Sequence, residues 1–152
     1  MAGWIFPSVV AALTSSAALW LAYYGLYRNR PTPAMRLWTW GWGLYGLRFA
    51  FVLLDMRFGP NPLLFTAAML STLGNALLLL AGAELFNGRR PRRAWIVAAA
   101  ATAAWTAYGV PGGLPFVAAT LPVFLFSGLA LLGTGLMFLR LPGAGRAGWY
   151  GG

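Results

Sequence analysis

Few side chains in this sequence can do chemistry. The chain has two acidic residues, Asp55 and Glu84, no His and no Cys, and all eleven basic residues are Arg. Without these residue types there is no imidazole-ligated haem, no Cys/His zinc site and no Lys Schiff base with retinal. No nucleophile–base pair can be assembled, so we predict no enzyme activity, no catalytic residue, no metal site and no resident cofactor. The composition does not exclude the binding of a lipid, quinone or pigment.

Arg48 is the only charge in the apolar stretch from Leu37 to Leu54. As a helix this stretch is roughly 27 Å long, close to the hydrocarbon thickness of a bilayer. A charge at that depth costs at least about 2.5–3.5 kcal/mol and normally faces other helices or a wet cavity. Asp55 follows about two turns later and shares a helix face with Arg48.

A polar cluster is predicted around Arg48. Small polar side chains of the next helix should reach a similar depth, which gives the set Arg48, Asp55, Ser71, Thr72 and Asn75. One interpretation is a ligand or anion pocket that is open to the outside. The other is that Arg48 extends toward Asp55 and the outer headgroups and binds nothing specific.

Glu84 lies before a run of arginines near the end of the third predicted helix. A proton-coupled carboxylate would need burial at mid-membrane. We therefore expect an interfacial pairing of Glu84 with Arg36, Arg89 or Arg90.

Three tryptophans, Trp38, Trp40 and Trp42, lie close together at one end of the second predicted helix. Trp38 and Trp42 share a helix face, whereas Trp40 points elsewhere. An aromatic belt at the membrane interface, combined with packing, is the favoured interpretation. A stacking site for a pigment, quinone or lipid is the alternative.

The composition is that of a polytopic membrane protein. Hydrophobic residues make up 60% of the chain and charged residues 9%, against about 25% in soluble domains. The net charge of +9 is typical of basic loops under the positive-inside rule. No nucleic-acid binding is predicted, because no basic face lies on a folded soluble element.

The apolar periodicity and its Pro, Gly and Asn breaks predict an all-α bundle of five transmembrane helices. The membrane domain covers residues 1–141 and a Gly-rich tail covers 142–152. Pro122 lies inside the last helix and predicts a kink. The predicted helices span about 4–27, 33–58, 62–86, 94–109 and 115–139.

The arginines set the orientation. Nine of the eleven fall in the first and third loops and in the tail, which are all on one side if five helices span the membrane, and the opposite side has only Arg57. The side with the nine arginines is predicted to be cytoplasmic, so the N-terminus lies outside and the C-terminus inside a bacterial inner membrane. The nine arginines on the predicted cytoplasmic side are Arg28, Arg30 and Arg36, then Arg89, Arg90, Arg92 and Arg93, then Arg140 and Arg146.

The segment from Tyr27 to Ile96 resembles the membrane-embedded N-terminal domain of bacterial sensor histidine kinases and GGDEF diguanylate cyclases. The resemblance rests on a basic loop, a Trp-rich helix with Leu-Arg-Phe at Arg48, a helix ending in Gly-x-Glu-Leu-Phe, and a second basic loop. It implies a sensory or anchoring domain with its output on the cytoplasmic side. The 152 residues include no output module.

The sequence is compatible with three functions. The preferred one is a non-catalytic, sensor-like or anchoring module that binds a membrane partner or ligand, with the bilayer, other membrane subunits or a second copy as partners. The alternative is a small accessory subunit of a larger respiratory or photosynthetic complex. A small transporter is the weaker alternative.

Overall fold

The computed structural model describes residues 4–139, and within this range the prediction of an all-α fold is confirmed. The predicted end of the bundle at residue 141, the tail, Arg140 and Arg146 lie outside the described residues. The helices are α1 (Ile5–Asn29), α2 (Pro33–Phe58), α3 (Pro62–Phe86), α4 (Arg93–Gly109) and α5 (Phe116–Leu139).

Helices α2 and α3 each begin after a residue whose side chain caps the helix N-terminus. Thr32 precedes a proline at the first position of α2, and its Oγ1 accepts a hydrogen bond from the Met35 N–H at 3.2 Å. Asn61 precedes α3 in the same way, and its Oδ1 accepts from the Leu63 N–H at 2.8 Å. Both side chains satisfy amide groups that have no partner within the helix, which fixes where the helices begin.

The end of α3 is a Schellman motif. Gly88 has φ 69°, its N–H donates to the Leu85 carbonyl, and the Arg89 N–H donates to the Glu84 carbonyl at 2.8 Å. A positive φ suits Gly, which has no Cβ to clash. The motif turns the chain back over the end of α3 and leads it into α4.

Neighbouring helices alternate in direction. On α1 and α2, Trp20 lies against Gly43 and Ser16 against Gly46, which makes these helices antiparallel. On α2 and α3, Trp38 lies against Gly82. Leu44 lies against Gly74, so α2 and α3 are also antiparallel.

Helices α3 and α5 run parallel. Their first turns meet at Phe65 and Phe116, with ring centroids 5.6 Å apart, and their last turns meet at Phe86 and Phe138, 5.8 Å apart. Helix α4 returns the chain between them, packed against both. The two basic loops therefore lie at the same end of the bundle, which we call the basic end.

The hydrophobic core lies among α3, α4 and α5, whereas α1 contacts α2 alone among the described helices. In lipid, close van der Waals packing of this kind holds helices together, because burial in protein gains little over burial among acyl chains. The core side chains are Met69, Leu73, Ala76, Leu80, Ala99, Val123, Phe126 and Ala130.

Three of the described helices, α1, α3 and α5, are long and apolar enough to cross a membrane. This finding is compatible with a membrane protein. Helix α2 carries Arg48 and Asp55 within its length, and α4 has 17 residues, fewer than the other four helices.

Candidate functional site

Arg48 lies half-buried on α2 between two aromatic rings. Its guanidinium carbon is 5.9 Å from the ring centroid of Tyr45 and 5.3 Å from that of Phe49. Cation–π contacts of this kind contribute about 0.5–2 kcal/mol, depending on how far the charge is desolvated. The buried Arg48 Nε has no hydrogen-bond partner among residues 4–139. The guanidinium is therefore held by rings, with hydrogen-bonding capacity unused.

Asp55 is bound to the α2–α3 turn and forms no ion pair with Arg48. Its Oδ1 accepts a hydrogen bond from the Asn61 N–H at 2.7 Å. The single ion pair within the described range joins two other residues, at the opposite end of the bundle. Asp55 thus stabilises the turn that separates α2 from α3.

The predicted partners on α3 are buried, but they are not bonded to Arg48. The hydroxyl groups of Ser71 and Thr72 donate to carbonyls one turn earlier in their own helix, at 2.8 and 2.9 Å. The contact of Leu44 with Gly74 puts Ser71 about level with Arg48. No hydrogen bond or ion pair joins any two of the five predicted cluster residues in the described structure.

Asn75 is the exception within the set, because its side chain has an unused acceptor. The residue is 8% exposed, and its buried Oδ1 has no hydrogen-bond partner among the described residues. A Cβ placed on Gly41 would lie 3.4 Å from this oxygen. The Asn75 amide therefore packs directly against the backbone of α2 at Gly41, where a methyl group would be in ordinary van der Waals contact with it.

The three tryptophans of α2 have different environments. Trp40 is 64% exposed, as a belt residue would be. Trp38 is buried, and its Nε1 donates to the Leu79 carbonyl at 3.1 Å. Trp42 stacks on Tyr23 of α1, and its buried Nε1 has no partner among the residues described. Trp38 is thus a packing residue of the bundle, and only Trp40 has the exposure expected of a belt.

Trp42, Tyr45 and Phe49 continue the line of Trp38 along one face of α2, and we call these four residues the aromatic stripe. Successive rings are in contact from Trp42 onward, with centroids 5.9 and 5.1 Å apart. The positions recur every three or four residues, which places them on one side of the helix. Arg48 lies beside this stripe.

Glu84 is the most buried charged group of the described chain, at 1% exposure. Its Oε2 accepts a hydrogen bond from the Arg92 N–H at 2.9 Å, and its Oε1 is 3.5 Å from Arg92 Nε. The partner differs from the predicted Arg36, Arg89 or Arg90. The reason is the Schellman turn, which directs the chain back so that Arg92, the residue before α4, meets the carboxylate.

Cavities lie on both sides of α2, and two of them bear on the candidate site. One, of about 390 Å³, lies between α1 and α2 and is lined by Trp20, Gly46 and Ala50 among others. The other, of about 270 Å³, lies between α2, α3 and α4 and includes Glu84 in its lining. Both are mostly apolar, so they suit hydrocarbon more than a water-soluble substrate.

The described residues contain no group of three or more potential metal ligands among His, Cys, Asp and Glu. The chemistry available at these sites is ion pairing, hydrogen bonding and apolar contact. No family model, no curated protein and no solved structure matches the chain.

The sequence pattern does not identify Arg92 as the partner of Glu84, although Asn-Gly followed by arginines is a signal for a turn that brings the later arginines back. The sequence pattern predicts a belt combined with packing for Trp38 without naming its neighbour, although a large ring and Gly82 stand at facing ends of two antiparallel helices. Both features depend on which helices are neighbours.

Proposed function

We propose that the chain is a non-catalytic module of a bacterial inner membrane that binds another membrane protein and serves a sensor-like or anchoring role. In this proposal all five helices span the bilayer, with the N-terminus outside and the basic end cytoplasmic. The parallel course of α3 and α5 supports a crossing by α4. The position of α2 between α1 and α3 supports a crossing by α2.

The observation that carries the proposal is Arg48. Its charge has two aromatic rings beside it but no carboxylate, and its Nε donates no hydrogen bond within the described structure. An intramembrane charge is costly unless another charge or dipole compensates it. An acidic side chain on the helix of a partner protein would supply that compensation and would make association depend on this one guanidinium.

Site-specific photocrosslinking in native membranes tests this proposal. A photoreactive side chain at Leu47, which is 43% exposed beside Arg48, should form an adduct with a second membrane protein. Arg48→Leu should remove most of the adduct and Arg48→Lys should keep part of it, because Lys keeps the charge but not the planar donor fork.

Arg57→Leu is the matched control, because Arg57 is an exposed charge at the end of the same helix. It should leave the adduct unchanged. An adduct that is equally strong in the Arg48→Leu and Arg57→Leu chains, or no adduct in the unmodified chain, would reject the proposal.

The accessory-subunit alternative is favoured by α1. This helix packs on α2 alone among the described helices, and Ser16 is its one buried residue. The remaining surface of α1 is free to contact a larger complex. Co-migration with a large assembly on a native gel, lost when α1 is replaced by an unrelated apolar helix, would favour this alternative over the sensor-like module.

A further inference from the structure

A crevice between α1 and α2 holds two adjoining cavities. The first, of about 140 Å³, lies toward the basic end and is lined by Arg36 and by aromatic rings of both helices, including Tyr24 and Tyr27. The second, of about 390 Å³, lies farther from the basic end and is mostly apolar. Trp20 and Trp40 line both cavities, so the two follow one another along the same crevice.

The apolar cavity has the length of one bilayer leaflet. Its lining on α2 extends from Trp40 to Ala50, about 15 Å along the helix axis. A bilayer has about 30 Å of hydrocarbon, and one leaflet supplies half of it. Ala17 of α1 and Ala50 have short side chains in this lining, which leaves space between the helices. The cavity therefore fits a hydrocarbon chain of a lipid from one leaflet.

Trp20 and Trp40 lie where the polar part of the crevice meets the apolar part. Tryptophan rings are enriched at the level of the lipid headgroups. Trp40 is 64% exposed, as a ring at that level would be. A lipid whose acyl chain lies in the apolar cavity would thus have its headgroup at the cavity that Arg36 lines.

The charges around the first cavity favour an anionic headgroup. Arg36 is exposed near the start of α2, and Arg28 and Arg30 precede it at the same end of the bundle. The first acidic residue of the sequence is Asp55, near the opposite end of α2, and Arg36 forms no ion pair within the described residues. Basic pockets of this kind between membrane helices bind anionic lipid headgroups.

We propose that the crevice between α1 and α2 binds an anionic phospholipid of the leaflet at the basic end. Its phosphate group accepts hydrogen bonds from the Arg36 guanidinium, and one acyl chain lies in the apolar cavity as far as Ala50. The proposal rests on the part of the proposed function that places α1 and α2 across a bilayer. It depends neither on Arg48 nor on a protein partner, so its failure would leave the expected crosslink at Leu47 unchanged.

Photolabelling of the full chain in phosphatidylcholine nanodiscs tests the proposal. Two probes carry a diazirine near the end of the same acyl chain, one on phosphatidylglycerol and one on phosphatidylcholine. Peptide mapping should place the label at residues 13–17 and 43–50, which line the apolar cavity. At equal trace concentrations the phosphatidylglycerol probe should label them about fivefold more strongly, the factor expected for one Arg acting on an anionic lipid.

Two arginine variants test the contact with the headgroup. Arg36→Gln removes the charge at the first cavity and should make the two probes label residues 13–17 and 43–50 equally. Arg93→Gln is the matched control, because it removes an exposed charge at the same end, on α4, which contacts neither α1 nor α2 among the described helices. It should keep the preference for phosphatidylglycerol.

Two alanine variants test the place of the acyl chain. Ala17→Leu puts a larger side chain into the apolar cavity and should remove most of the label at 43–50. Ala18→Leu adds the same bulk at the next residue, which is also exposed and does not line the cavity, so it should leave the label unchanged. Both positions are exposed, so neither substitution should impair folding.

Equal labelling by the two probes in the unmodified chain would overturn the proposal. Stronger labelling by the phosphatidylcholine probe would also overturn it and would indicate a choline group among the aromatic rings. An equal loss of preference in Arg36→Gln and Arg93→Gln would assign the attraction to the overall charge of the basic end and reject the contact with Arg36. Equal labelling of the Ala17→Leu and Ala18→Leu chains would show that no acyl chain occupies the cavity.

Discussion

Trp105 of α4 donates its indole N–H to the carbonyl oxygen of Ala118 in α5, at 3.0 Å. In a regular helix this carbonyl would accept from the residue four positions later, which is Pro122 and has no N–H. An unsatisfied carbonyl is costly in lipid, where water is absent. The indole therefore replaces the backbone bond that the proline removes, and α5 continues as one helix through Pro122.

We expect the cost of Trp105→Phe to depend on Pro122. In the native sequence, the substitution leaves the Ala118 carbonyl unpaired and should destabilise the bundle by about 0.6–1.7 kcal/mol. In a Pro122→Ala background the helix supplies its own N–H, so the cost of the lost hydrogen bond should vanish. A double-mutant cycle, measured by unfolding in mixed detergent micelles, isolates this difference. Equal costs in both backgrounds would contradict the assignment.

The sequence pattern can predict local features of this fold, and the physical reason is that they involve neighbours in the chain. Thr32 and Asn61 cap helices through amides two or three residues away. Pro122 predicts a disturbed helix, but its partner Trp105 lies on another helix, and only the packing of α4 against α5 brings them together. Sequence patterns therefore do not predict which residues of different helices are in contact.

In the candidate site, too, the sequence predicts local placement but not the partner of each side chain. A lone Arg in an apolar stretch predicts that other helices cover Arg48, but the two rings beside this half-buried side chain, Tyr45 and Phe49, belong to its own helix α2. That Asp55 binds the Asn61 N–H, and not Arg48, depends on the geometry of one turn. Periodicity assigns residues to a face, but it does not choose between two partners that are both within reach.

Gly82 should be intolerant of any side chain. A Cβ there would lie 2.6 Å from Trp38 Cδ1, and Trp38 is buried among other rings, so it has no room to move. Gly82→Ala should destabilise the bundle by about 1–3 kcal/mol through overpacking. Gly128→Ala is the matched control, because no atom lies within 4 Å of its Cβ position. Detergent unfolding of both variants checks this, and similar stabilities would contradict the packing role.

The bond between Glu84 and Arg92 should depend on the backbone more than on the guanidinium. Arg92→Ala removes a guanidinium whose side chain is 62% exposed, so solvent weakens its attraction to the Glu84 carboxylate, and it keeps the backbone N–H bonded to Glu84 Oε2. Arg92→Pro also removes the N–H that binds Glu84 Oε2, at a φ of −73° that proline adopts readily. The second variant should therefore be less stable than the first by about 1–3 kcal/mol. Equal stabilities in detergent unfolding would show that this hydrogen bond contributes nothing.

The parallel course of α3 and α5 has a consequence for topology that cysteine labelling can measure. The chain contains no Cys, so single substitutions can be introduced without removing any native thiol. Asn29→Cys and Arg90→Cys lie on exposed residues at the basic end, and Pro60→Cys and Pro111→Cys on exposed residues at the opposite end. A membrane-impermeant maleimide added to intact spheroplasts should label only the second pair. The first pair should react only after permeabilisation.

The buried Ala130→Cys serves as the negative control and should react only in denaturant. The informative comparison is between Pro60→Cys and Pro111→Cys, because α3 and α4 lie between them in the chain. If α4 crosses the bilayer to return the chain from the end of α3 to the start of α5, both must be labelled from the outside. Labelling of Pro111→Cys from the cytoplasm alone would mean that α4 does not cross. The parallel packing of Phe65 on Phe116 and Phe86 on Phe138 could then not exist in the membrane.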